Sequence, residues 1–193
     1  MDGGSYEATK KVFKLVLSAM FIAVGLVLPF FTGQIPKLGH ILCLMHIPVL
    51  LCGFICGWKY GFVVGLVTPL LRNVLFMIPI LYPTAIIMAI ELATYGLVSG
   101  LVYKMLNKTH KPNITKAYIA LILAMFIGRA MWGLFYYLLT LIDGSLSIDF
   151  TFFMSSAYLT AWPGIFIQIW IIPYLMYSLE RLNVLTKFRN YKF

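Results

Sequence analysis

Charge is scarce in this sequence. Only 11% of its 193 residues are Asp, Glu, Lys or Arg, against about 25% in ordinary soluble domains, and such a chain has too little charged surface to live in water as a globule. Acids are rarer still, at six Asp and Glu in all. Cysteine is limited to three residues, Cys43, Cys52 and Cys56. The last two share a helix face but have no His or Asp beside them, so no metal set is expected. They read as small packing residues, and neither a disulfide nor a redox role is inferred. A Gly-x-x-x-x-Gly-Lys-Ser/Thr loop is missing, which leaves the chain without a P-loop for ATP. Neither linker, low-complexity stretch nor repeat divides it, so residues 1–193 are expected to form a single transmembrane domain. The opening MDGGSYEATKK carries two acids, and no small-residue cleavage site follows the first apolar run, which therefore reads as a retained helix.

What the sequence has in quantity is hydrocarbon, 62% hydrophobic residues with a mean hydropathy of +0.93. This is an integral membrane protein. Judged against about 20 residues per spanning helix, apolar runs near 12–31, 60–76, 83–105, 117–142 and 155–179 qualify, and a shorter one covers 41–56. Six transmembrane helices in an all-α bundle are expected. Gly57 to Gly61 makes a tight turn, and KMLNKTHKPNITK is a polar loop. Pro48, Pro69, Pro163 and Pro173 fall inside or beside spans, where either cavity water or packing around a bend accommodates them.

The formal net charge of +9 suggests nucleic acid until the basic residues are placed. With the N-terminus inside, all fifteen Lys and Arg except Lys37, Arg72 and Arg129 fall at cytoplasmic ends, while the loop acids Asp143 and Asp149 fall opposite. Both termini are expected in the cytoplasm, and no nucleic-acid partner is needed.

Glu91 stands in IIMAIELATYGLVSGL, a stretch otherwise apolar, small or weakly polar. An ionisable group in hydrocarbon costs several kcal/mol and points to a function or a partner. At 1.5 Å per residue Glu91 is about 12 Å below the outer end of its span, and Arg129 and Arg72 come to a similar layer. Thr84, Met88, Glu91 and Tyr95 share one helix face, as do Met125, Arg129, Trp132 and Tyr136. Tyr158, Trp162 and Phe166 make a comparable stripe in the sixth span, with Gln168 off its line, and all three faces are expected to look inward. Two readings follow. Glu91 and one arginine form a salt bridge that holds the bundle, or the surplus arginine, with His46 nearby, receives an anionic or polar, ring-bearing ligand. Lys37 and His40 in the outer loop GQIPKLGH are candidates to close over such a site.

The runs LMHIPVLLCGFICGWKYGFVVGLVTPLLRN and YPTAIIMAIELATYGLVSGLVYK resemble the substrate-binding S components of energy-coupling factor (ECF) transporters. The likeness covers roughly residues 10–180. LSAMFIAVG in the first helix adds Ala19 and Ala23, whose Ala-x-x-x-Ala spacing flattens a helix face for close approach by another helix. The resemblance implies a six-helix vitamin-binding subunit of a bacterial plasma membrane, with no cofactor and no catalysis. It implies lids at Thr32–Ile41 and Met77–Tyr82, docking through Ala19 and Ala23 on a membrane coupling subunit, two partner ATPases, and toppling in the bilayer to release substrate inward. His-Ile-Pro looks most like pantothenate S components, whereas the aromatic stripes suit a pyridoxine-type compound, a thiamine precursor or riboflavin. Two other classes stay open: an intramembrane enzyme using Glu91 with His46 or Arg129, and a stand-alone ion-coupled carrier with Glu91 as proton site. Ser99 has no His in reach for the first, and carriers are usually built from repeats, which this chain lacks.

Overall fold

A computed structural model describes residues 3–32, 44–107, 114–142 and 162–181. Its elements are helical: α1 (Gly3–Val27), continued by a 3-10 turn over Leu28–Thr32, then α2 (His46–Cys56) and α3 (Trp58–Phe76). A π-type turn, Leu81–Ala85, leads into α4 (Ile86–Leu106), followed by α5 (Ile114–Ile142) and α6 (Trp162–Arg181).

By length and composition four segments suit a membrane crossing: Glu7–Phe31, Leu81–Leu106, Ile114–Ile142 and Trp162–Leu179. That is fewer than the six expected spans. The 11-residue α2 is about 16 Å long at 1.5 Å per residue, half the hydrocarbon thickness. The 19-residue α3 is long enough but carries Lys59, Thr68, Arg72 and Asn73. These two form a helical hairpin whose turn needs Gly57, held at φ 101, a backbone state costly for any residue with a Cβ.

α4 is the axis of the bundle, packed on α2, α3 and α5; α1 lies across α2 and α3, and α6 rests on α5 and α2. The reason is a seam of glycines. A Cβ at Gly61 would come 2.6 Å from the Gly96 carbonyl oxygen and 2.7 Å from Gly53 Cα, and one at Gly100 would come 2.6 Å from both Gly53 O and Trp58 N. At Gly65 and Gly96 the backbones of Leu92 and Gly61 stand closer still. Two Gly-x-x-x-Gly pairs, Gly61/Gly65 and Gly96/Gly100, thus let three backbones touch, the close packing that drives association where lipid removes the hydrophobic force.

Apolar clusters flank this seam. One joins Leu50 and Phe54 to Tyr95, Tyr103, Leu121, Met125, Ile172 and Met176, with Phe54 and Tyr103 edge to face at 5.1 Å. The other joins Phe21, Met45, Val49 and Leu92 to Cys52 and Cys56. Both cysteines are buried and unbridged, with Ser18 Oγ 3.7 Å from Cys52 Sγ; Cys43 lies outside the described residues.

Candidate functional site

Three helices bring four polar side chains together beside the seam. α4 supplies Glu91 and Tyr95, four residues apart and therefore on one face. α2, parallel to α4 and level with it through the Gly53–Gly96 contact, supplies His46. Arg129 comes from α5, next to Gly128, where a Cβ would strike the Tyr95 ring. All four are buried.

Two donors meet one oxygen, and a histidine nitrogen stands near it. Arg129 Nη1 is 3.1 Å from Glu91 Oε1, the Tyr95 hydroxyl donates to the same oxygen at 2.8 Å, and His46 Nε2 is 3.9 Å from it. The His46 and Tyr95 rings lie 5.4 Å apart. Charge pairing and a hydroxyl bond together let a carboxylate exist in an apolar bundle. On α5, one and two turns beyond Arg129 on the same face, Trp132 and Tyr136 stack at 5.4 Å with their planes 24° apart. Both are half-buried.

Arg72 does not join this cluster. Its Nη1 donates to the Leu26 carbonyl at 3.0 Å, and its guanidinium lies over Phe30 at 5.6 Å and Phe76 at 5.9 Å. Gly65 packs on Leu92 and α3 runs antiparallel to α4, so Arg72 sits about six residues, or about 9 Å, further along the axis than Glu91. The expectation that both arginines share its layer is corrected. Arg72 fastens the end of α1, where helix carbonyls lack intrahelical donors.

The aromatic stripe of α6 is corrected too. Trp162 is 61% and Phe166 59% exposed, while Gln168 is 1% exposed. The buried line is Gly164, Gln168, Ile172 and Met176, with Trp162, Phe166, Trp170 and Tyr174 facing out. In lipid an outward aromatic costs nothing, and the buried glutamine marks the inner face. Met88 is half-buried against the cluster of Met45 and Leu92. Ala19 and Ala23 are exposed on α1. Lys37, His40 and Tyr158 lie outside the described residues, as does the expected lid Thr32–Ile41 beyond Thr32 itself. The other expected lid, Met77–Tyr82, is a largely exposed bend. Met77, at φ 56, closes α3, and Asn73 Nδ2 donates to Pro79 O at 2.6 Å.

Gly128 and the glycine seam escaped the sequence reading, although two Gly-x-x-x-Gly pairs and a glycine preceding a buried arginine were visible signals. Among the described residues no group of three or more His, Cys, Asp or Glu is arranged to hold a metal.

The cluster thus lies buried inside a small bundle of apolar helices. The family model for the substrate-specific component of ECF transporters matches residues 13–176. The chain belongs to that family. It is a substrate-binding membrane subunit, and S components are transport proteins rather than enzymes, which bind small substrates and work with a membrane coupling subunit and ATPase modules. Comparisons with curated proteins and with solved structures returned no match.

Proposed function

We propose that this S component captures a small vitamin or vitamin precursor on the outer side of a bacterial plasma membrane. The observation that carries this is the buried Glu91–Arg129–Tyr95–His46 cluster, a costly arrangement for a bundle that glycine contacts already hold together. Trp132 and Tyr136 supply a ring platform beside it, and Met88 an apolar wall. Lys37, His40 and Tyr158 are further candidate contacts on sequence grounds. Arg72 and Trp162, as placed, are assigned to holding α1 and to facing lipid.

Uptake is energised by two partner ATPases through a coupling subunit, which docks on the exposed Ala19 and Ala23 face of α1. In this reading all six helices belong to the membrane domain and both termini face the cytoplasm. Reporter fusions at residues 1 and 193 test that orientation.

Mass spectrometry of small molecules that co-purify with the detergent-solubilised protein, followed by thermal-shift titration with B vitamins and precursors, tests the function. A stoichiometric vitamin that raises the melting temperature is the expected result. An empty, unresponsive protein would remove the proposal.

A further inference from the structure

The buried line of α5 includes Ala117, Ala120, Ala124 and Gly128. The three alanines pack in one cluster with Tyr95 and Tyr103 of α4. The fourth position gives up even the methyl group, although glycine costs a helix interior more conformational entropy than alanine does. Position 128 therefore has a reason to lack a Cβ, and that reason is the Tyr95 ring. A Cβ built there would fall on ring atoms Cδ1 and Cε1, with Cζ, the carbon that bears the hydroxyl, 3.1 Å away.

The ring has little room to retreat. Tyr95 is 1% exposed, packed in a cluster with Leu50, Phe54, Leu121 and Met125, and its ring already lies 5.4 Å from that of His46. A close-packed interior transmits strain, so a push at the edge of this rigid plate is carried to its hydroxyl. An O–H···O bond runs to about 3.0 Å, and a shift of a few tenths of an ångström takes the hydroxyl out of that range, since it now meets Glu91 Oε1 at 2.8 Å. Arg129, the next residue of α5, stands 3.1 Å from the same oxygen. Neighbouring residues of one helix thus govern two partners of the carboxylate, Arg129 by supplying one and Gly128 by seating the other.

Resting on the reading that this cluster binds the vitamin, we infer that Gly128 is a positioning residue of the binding site. By leaving room for the Tyr95 ring it places the hydroxyl on Glu91 Oε1, and the hydroxyl together with Arg129 holds the carboxylate in the orientation that meets the ligand. Gly128 acts through Tyr95, so its effect on affinity exists only while the hydroxyl does. A glycine that merely let α4 and α5 pack would act on stability, with or without that hydroxyl.

The test is a double-mutant cycle on the full-length protein in nanodiscs, titrated with thiamine, pyridoxine, riboflavin and pantothenate, with the parent's tightest binder carried through. Gly128→Ala is expected to weaken that binding at least tenfold, or about 1.4 kcal/mol. Tyr95→Phe, which keeps the ring and removes the hydroxyl, is expected to weaken it to a similar extent. Adding Gly128→Ala to the Tyr95→Phe protein is expected to change affinity less than twofold, while ligand-free stability falls in both backgrounds because the ring still meets the new methyl. Losses that multiply in full in the double variant would overturn the inference and leave the vitamin-binding function intact. Parental affinity in either folded single variant would do the same, and Tyr95→Phe, which leaves the packing in place, guards against a folding defect in Gly128→Ala. Binding of none of the four by the parent, with nothing co-purifying, would overturn both.

Discussion

Replacing Glu91 and Arg129 by methionine, singly and together, separates the ion pair's structural role from the binding role proposed for it. At 3.1 Å and an effective dielectric of about 20, the pair attracts by about 5 kcal/mol, which is set against the cost of desolvating both ions. Removing one partner leaves a buried charge alone, at a cost of about 3–5 kcal/mol. Removing both swaps the pair for hydrocarbon of similar length, which is close to neutral in itself. What the double variant still loses is the acceptor for the Tyr95 hydroxyl, now 2.8 Å from Glu91, at about 1–3 kcal/mol for an unsatisfied buried donor. Each single variant is therefore expected to lose more stability than the double. Reversible unfolding in mixed micelles, followed by tryptophan fluorescence over increasing SDS, measures all three against the parent. The double variant is also expected to fold and yet bind no ligand in thermal-shift titration. Additive losses in the double variant would refute the reasoning, because the two side chains would then not be spending their charge on each other.

Other perturbations test the frame around the pair. Gly61→Ala forces a Cβ against the Gly96 carbonyl and Gly53 Cα, backbone that cannot swing aside, and is expected to lose about 1–3 kcal/mol in the same assay, as overpacking does. Arg72→Gln removes the donor to Leu26 O and should cost about 1.5–3 kcal/mol, the worth of a hydrogen bond from a charged group. Arg72→Lys should recover only part of that, since an ammonium lacks the planar fork that stacks on Phe30 and Phe76. Ala23→Trp, on the exposed side of α1, is expected to abolish co-purification with the coupling subunit while vitamin affinity changes less than twofold.

Much of the frame was legible in the sequence because it rests on apolar run length and punctuation. The expected runs 60–76, 83–105 and 117–142 correspond to α3 (Trp58–Phe76), α4 (Ile86–Leu106) and α5 (Ile114–Ile142). Gly57 and Pro83 mark the turns that separate the helices. Glu91 was conspicuous for a physical reason: in a chain with six acids, one in mid-span needs a partner, and Arg129 stands on a matching stripe. The choice between Arg129 and Arg72 was not legible. Both count to a similar depth along their own helices, and only the glycine contact between Gly65 and Leu92 sets the register of α3 on α4. A depth read from one helix end cannot supply that offset of about 9 Å.

The error at α6 has a different source, and it bears on how membrane sequences are read. In water an aromatic stripe at helical spacing faces the core, because solvent penalises the alternative. In lipid the outer face is as apolar as the core, so Trp162, Phe166, Trp170 and Tyr174 gain nothing by turning in. What lipid does penalise is an unsatisfied polar group. Gln168, off the aromatic line, therefore orients α6, and it is buried with Gly164 a turn before it and Ile172 a turn after. The inversion does not extend to α4, the axis of the bundle, where Ile87, Leu92 and Tyr103 are buried along with Glu91, Gly96 and Gly100. A helix at the rim of the bundle is thus oriented by its polar and small residues, as α6 is by Gln168 and Gly164, whereas a helix enclosed by others buries residues of every kind.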